Sequence, residues 1–98
     1  MANTETQLAL LKVDVGLMHP TKEQEKLLNS KLSAAKVRIE RRGIRLKDED
    51  PDCDDLVVMY AAWLYRKRAQ SSDETEMPRM LKQALNDMLV SQKMGGST

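Results

Sequence analysis

Large aromatic side chains are almost absent from this chain of 98 residues, in which phenylalanine does not occur and aromatic residues make up 3%. Methionine is common by comparison, with 7 residues. A chain of this length has room for one small domain, which buries about two thirds of the surface that the extended chain exposes. The sequence therefore predicts a single domain over residues 1–98, with a modest core of Leu, Val, Ala and Met side chains.

Cysteine and histidine each occur once, as Cys53 and His19. A lone cysteine cannot form an internal disulfide, and without a CxxC motif or a Cys/His cluster there is no framework for structural zinc. A reducing, intracellular setting fits this cysteine usage best.

Net charge and long apolar runs are also lacking. Charged residues make up 32% of the chain, yet the formal net charge is +1, which is not the basic excess of a dedicated nucleic-acid binder. The N-terminus lacks the basic start and apolar core of a signal peptide, and no apolar run approaches the roughly 20 residues that span a bilayer. We expect a soluble protein that is not exported and has no membrane partner.

The most apolar stretch runs from Asp52 to Arg68 and reads DCDDLVVMYAAWLYRKR. Acids stand at its start and bases at its end, which is the charge order that a helix dipole favours. Apolar residues wrap most of the way round this predicted helix, so we expect it to be buried on several sides. It holds the only Trp and both Tyr of the chain. We interpret it as the core helix, and a core that continues into a neighbouring subunit is the alternative.

Two helices are predicted before this one from the spacing of their apolar residues. A short helix at 4–15 precedes a longer helix at about 21–42. The longer helix begins with Thr21 and Gln24, which match a capping box, and Gly43 stops it.

The remaining segments are predicted from turn and helix-start signals. Residues 44–47 could form a short extended edge, and residues 69–76 are typical of a polar loop. Met77 and Pro78 introduce a last helix, followed by a disordered tail at about 93–98. The predicted fold is a small all-α bundle of about four helices, the first of them short.

No catalytic or metal-binding constellation is apparent. His19 lies beside a proline in a connector without a nucleophile motif, and the acids around Cys53 would raise its thiol pKa and oppose nucleophilic use. The run DEDPDCDD supplies the first three acids of an EF-hand loop, but its sixth position is Cys53 and its twelfth is Met59, where the loop needs Gly and Glu. No glycine-rich phosphate loop occurs. The prediction is a protein that is not an enzyme and has no cofactor and no metal site.

Charge segregation is the most informative feature. The basic block, residues 36–47, carries six bases and one acid, and the acidic block, residues 48–55, carries six acids and no base. Solvated helix ends, whose ion pairs contribute about 0 to 1 kcal/mol each, are one interpretation. The others are head-to-tail contacts between copies and contact with DNA phosphates. The predicted subunit or partner contacts are Lys36, Arg38, Arg41, Arg42, Arg45, Asp48, Asp50, Asp52, Asp54, Asp55, Tyr60, Trp63, Tyr65, Arg66 and Arg68.

Three runs together carry a resemblance to a known family. They are TKEQEKLLNSKLSAAKVRIERRGI, the acidic turn and helix DPDCDDLVVMYAAWLYRKR, and MPRMLKQALNDMLVSQK. In order and spacing they resemble the small head-tail connector proteins of long-tailed bacteriophages and prophages. The likeness covers residues 5 to about 92, and no single motif in it is diagnostic.

The resemblance implies a structural role in the virion. Proteins of this family are all-α adaptors that assemble as a ring of portal-matching symmetry, a dodecamer being one such ring, beneath the portal at the DNA exit of the capsid. They extend the DNA channel and dock the stopper or tail-joining proteins, with non-specific contact to channel DNA.

The resemblance also suggests where each segment would act. The central helix would form the core and part of the subunit contact, the two charge blocks would set ring contacts or face the channel, and the last helix would reach the portal. The location would be the head-tail interface of the virion, with the host cytoplasm as the site of assembly. The alternative function is a small helical DNA-binding regulator, which the near-zero net charge and the lack of a short turn between periodic helices disfavour.

Overall fold

The structure is a computed structural model, which describes residues 3–47, 50–67 and 77–95. In these residues four helices and no strand occur: α1 (Asn3–Val15), α2 (Lys22–Arg41), α3 (Pro51–Lys67) and α4 (Arg79–Gly95). They pack into one globule around a shared apolar core, so the predicted all-α bundle of four helices is confirmed. Of the described helices, none has the length and apolar character that crossing a membrane requires.

The ends of α2 follow the signals in the sequence. The backbone N–H of Gln24 donates to the Thr21 hydroxyl at 3.1 Å, and the Thr21 N–H donates to the Gln24 side chain at 2.8 Å, which completes the predicted capping box. Gly43 follows the helix with a φ of 94°, a conformation that glycine adopts without strain. Leu28, Leu32, Ala35 and Ile39 of α2 are all buried.

α3 is the centre of the bundle. The Asp50 carboxylate accepts the backbone N–H of Asp52 at 2.9 Å, and Pro51 occupies the first helical position, where its missing N–H costs nothing. Buried apolar side chains then point in nearly all directions, as predicted for a helix enclosed on several sides: Leu56, Val57, Val58, Tyr60, Ala61, Ala62 and Leu64.

α1 and α4 lie on nearly opposite sides of α3. Buried Gln7 of α1 donates from Nε2 to the Asp54 carboxylate at 2.7 Å, which fixes the side of α3 that faces α1. Leu56 and Met59 line the groove beside α4. Five residues of helix turn through about 140° beyond one full turn, so Asp54 and Met59 face away from each other. α3 therefore separates the first helix from the last.

Three predicted segments either differ in the structure or lie outside the residues that it describes. Residues 44–47 form no strand, so the predicted extended edge is absent, and Ile44 is buried in the core with 2% exposure. α4 continues through Lys93 to Gly95, where the disordered tail was expected to have begun. The predicted loop at 69–76 and the end of the tail at 96–98 lie outside the described residues.

The Gln7–Asp54 pair should contribute measurably to stability. Replacing Gln7→Ala removes an amide donor from a buried carboxylate, and we expect the free energy of unfolding to fall by about 1 to 3 kcal/mol. Urea denaturation followed by circular dichroism measures this change. Gln83→Ala, at an exposed position of α4, is the matched control and should change the value by no more than about 0.5 kcal/mol. Equal effects of the two substitutions would show that the buried pair is not stabilising.

Candidate interaction surfaces

The basic block forms an exposed end of the bundle. Arg38 and Arg41 lie on α2, and Arg42 caps it. Arg45 lies in residues 44–47, which we call the extended segment. All four arginines are exposed. Among the described residues none of their guanidinium groups has an ion-pair partner. Lys36 differs from them, because it is half-buried and has a contact of its own.

One apolar side chain stands among these bases. Val37 is 47% exposed on the outer face of α2, and Arg41 follows it one turn later on that face. Arg38 projects about 100° further round the helix than Val37, on the same side as Arg41. We call these three side chains the basic ridge. An apolar side chain beside two cations can be covered by another molecule without leaving a buried charge unpaired, provided that the partner carries acids.

The acidic block is divided among different roles. Asp50 precedes α3 and accepts the Asp52 N–H, and Asp54 is buried against α1. Asp52 and Asp55 are exposed on α3, and Asp48 lies outside the described residues.

Asp52 and Asp55 border a groove between α3 and α4. The groove has a volume of about 360 Å³, and its floor is apolar, formed by Leu56, Met59, Ala84 and Met88. A third carboxylate, Asp87, lines it from α4. In the part of the chain that is described, no base pairs with these three carboxylates. We call this feature the acidic groove, and it can hold an apolar side chain together with neighbouring cations.

A second cleft, of about 700 Å³, continues from the groove toward the end of α4. Gln92 joins its two sides: the Arg45 N–H donates to Gln92 Oε1 at 2.7 Å, and Gln92 Nε2 donates to the Arg45 carbonyl at 2.6 Å. The side-chain amide thus makes the same two hydrogen bonds to the Arg45 backbone that a residue of a neighbouring β-strand makes. This pairing fixes the segment that follows α2 against α4.

The aromatic side chains of α3 contribute mostly to the interior. Tyr60 is buried and meets half-buried Trp63 edge to face, with ring centroids 5.6 Å apart. Lys67 Nζ lies 5.0 Å from the Trp63 ring centroid, a cation–π arrangement, and the buried Nε1 of Trp63 has no hydrogen-bond partner among the described residues. Tyr65 is half-buried and has a contact of its own.

The last predicted contact residues are Arg66, which lies in the last turn of α3, and Arg68. Arg66 donates to the Asp14 carbonyl at 2.8 Å and lies 3.6 Å from the Asp14 carboxylate, so it ties α3 to α1. Arg68 is outside the described residues.

Cys53 is buried where the extended segment meets the start of α3. Its Sγ accepts the Lys47 N–H at 3.5 Å and lies 3.6 Å from the Asp50 carboxylate and 3.9 Å from the Arg45 carbonyl. Burial raises the pKa of the Cys53 thiol; the Lys47 N–H opposes this rise and Asp50 adds to it. The thiol therefore acts as a packing group and not as a nucleophile.

No donor cluster for a metal ion occurs within residues 3–47, 50–67 and 77–95. His19 is exposed in the turn between α1 and α2. Comparison with known proteins adds no assignment, since no family model, curated protein or solved structure matches the chain.

Four residues that contribute to these surfaces or to the core were not predicted from the sequence. Gln7 and Gln92 are amides in helical patterns, and nothing local shows that they pair with residues 47 positions away. Asp87 and Val37 could have been noticed, because Asp87 is the only acid of α4 and Val37 stands outside the apolar stripe of α2.

The Gln92 pairing predicts a local effect on hydrogen exchange. Gln92→Ala removes both hydrogen bonds to the Arg45 backbone, so the Arg45 amide should exchange faster while the stability of the whole domain falls by only about 1 kcal/mol. NMR-detected exchange measures the amide, and Gln83→Ala serves as the control. Unchanged Arg45 exchange in the Gln92 variant would contradict the pairing.

The environment of Cys53 predicts low reactivity and a pH effect. Native Cys53 should react with a thiol reagent on the order of tenfold or more slowly than in urea, because burial and the raised pKa keep the thiol protonated. The unfolded thiol ionises near about pH 8.5 and the folded thiol only at higher pH, so stability falls as pH rises through the range between them. Cys53→Ala should remove the part of the stability loss at alkaline pH that comes from this thiol. Identical alkaline profiles of the two proteins would contradict the raised pKa.

Proposed function

We propose that this protein is a structural virion component, a head-tail connector that assembles as a ring beneath the portal. In this role it extends the DNA channel and provides the docking surface for the stopper or tail-joining proteins. The resemblance of residues 5 to about 92 to such connectors supports the proposal, as does the four-helix architecture.

The observation that carries the proposal is the separation of two surfaces of opposite charge, neither of which has an ion-pair partner among the described residues. The guanidinium groups of Arg38, Arg41 and Arg42 are exposed at the end of α2, and the acidic groove lies between α3 and α4. Within one molecule such charges gain little from each other and remain hydrated. A protein that works by contacting copies of itself and neighbouring proteins uses these charges for orientation and specificity.

A ring also explains why apolar side chains that are exposed or only half-buried accompany the charges. Val37 stands among the bases, and Met59 and Met88 form part of the floor between the acids. Apolar side chains at the centre of a charged rim are the usual composition of a protein contact.

A small DNA-binding regulator is the second candidate. The exposed Arg38, Arg41, Arg42 and Arg45 favour it, because a cluster of guanidinium groups can neutralise phosphates. The net charge of +1 and the exposed carboxylates of Asp52 and Asp55 disfavour it. Steeply salt-dependent binding of duplex DNA by the isolated protein would support this candidate.

Association with the portal protein encoded in the same genome tests the proposal. The two proteins are purified together, and native mass spectrometry gives the mass of any complex, with the connector alone as control. We expect a defined complex with one connector chain per portal subunit, whether or not the control is monomeric. No association across salt and pH, with both proteins folded, would overturn the adaptor proposal.

A charge-reversal variant tests the basic end in the same assay. Arg41→Glu with Arg42→Glu should weaken assembly at least about tenfold through like-charge repulsion, with helicity retained because both positions are exposed. Lys22→Glu with Lys26→Glu changes the net charge equally at the other end of α2 and should assemble normally. Unchanged assembly of the first variant would remove Arg41 and Arg42 from the contact.

A further inference from the structure

The acidic groove has the features of a receptor for an apolar side chain flanked by cations. Its floor is formed by Leu56, Met59, Ala84 and Met88, and the carboxylates of Asp52, Asp55 and Asp87 stand around it. Within the described residues these carboxylates have no basic partner. A volume of about 360 Å³ holds a valine side chain together with the aliphatic part of an arginine.

The basic ridge has the complementary composition. Val37 presents an apolar side chain, and Arg38 and Arg41 place two cations on one side of it. Neither guanidinium group has a hydrogen bond or an ion pair among the described residues. The basic ridge thus offers an apolar side chain and cations, and the acidic groove offers an apolar floor and carboxylates.

The two surfaces cannot meet within one molecule. Ile39 and Leu32 mark the side of α2 that is buried in the bundle, and Val37 lies about 160° around the helix from Ile39. The ridge therefore points away from the bundle, whereas the groove lies between α3 and α4. A contact between them has to join two copies.

We propose that the basic ridge of one copy docks into the acidic groove of the next copy. Val37 covers the apolar floor, and Arg38 and Arg41 face the carboxylates of Asp52, Asp55 and Asp87. The inference rests on the proposed function in taking the neighbouring subunit of a ring as the partner. Because the two surfaces differ, the contact is heterologous, and it repeats from copy to copy until a ring closes.

Chemical cross-linking detects this contact even when it is weak. Val37→Cys and Ala84→Cys place thiols on the ridge and in the groove, and a short bismaleimide joins thiols that lie close together. Buried Cys53 remains unreactive, which the unsubstituted protein verifies. A mixture of the two single variants should give a cross-linked dimer, and the variant with both cysteines should give a ladder of higher oligomers.

Matched controls define the specificity of the cross-link. Lys26→Cys is exposed on the same helix but away from the ridge, and it should not cross-link to Ala84→Cys. High salt should reduce the cross-link between Val37→Cys and Ala84→Cys, because the flanking pairs are solvent-exposed. Rapid dimer formation by Val37→Cys alone would indicate contact between two identical surfaces and would overturn the inference.

A charge exchange in the double-cysteine protein tests the pairing itself. Arg38→Glu with Arg41→Glu, and separately Asp55→Lys with Asp87→Lys, should each reduce the ladder at least about tenfold, because like charges then face each other. A mixture of the two variants should restore it, since every contact in an alternating ring is again between opposite charges. Lys22→Glu with Lys26→Glu should leave the ladder unchanged.

The outcomes separate this inference from the proposed function. The ridge-to-groove contact is overturned if the double-cysteine protein has normal helicity but gives no ladder, even if the portal complex forms. It is also overturned if the mixture of the two charge variants does not restore the ladder. A ladder that the charge-exchange mixture restores supports the contact even if the portal does not bind. Circular dichroism of each variant excludes unfolding as the cause of a lost cross-link.

Discussion

α3 has apolar side chains on nearly every face, and its enclosure on several sides is the constraint on which the rest of the bundle depends. Leu56, Val58 and Leu64 point in different directions and are all buried. A buried valine or leucine side chain contributes about 1.5 to 3 kcal/mol relative to an exposed one, so a bundle of this size cannot leave one of these faces in water. The other helices therefore surround α3, and the polar pairs Gln7–Asp54 and Arg66–Asp14 orient α1 against it.

α4 covers α3 through a narrower contact, and this leaves room for a surface site. Leu81 and Leu85 are its buried side chains, while Met88 and Leu89 are half-buried and Gln92 pairs with the extended segment. The side of α4 that carries Asp87 stands away from α3, which produces the acidic groove. The limited packing of α4 against α3 thus leaves the acidic groove open to solvent.

The fold could be predicted from the sequence because its signals are local. The capping box of Thr21 and the glycine at position 43 fix the bounds of α2 from residues within one turn. The surfaces could be predicted only in part. The charge blocks were visible, but burial of Asp54 depends on Gln7, and the groove depends on where α4 crosses α3. Both are contacts between distant residues, and no short-range pattern encodes them.

Met59 and Met88 give the floor of the groove an additional property. Methionine side chains are unbranched and flexible, so a floor that contains them adjusts its shape to the side chain that rests on it. In the proposed contact, the partner residue at this position could then change from valine to another apolar residue without a matching change in the groove. Such tolerance would let the two surfaces change in sequence while the proposed contact is retained.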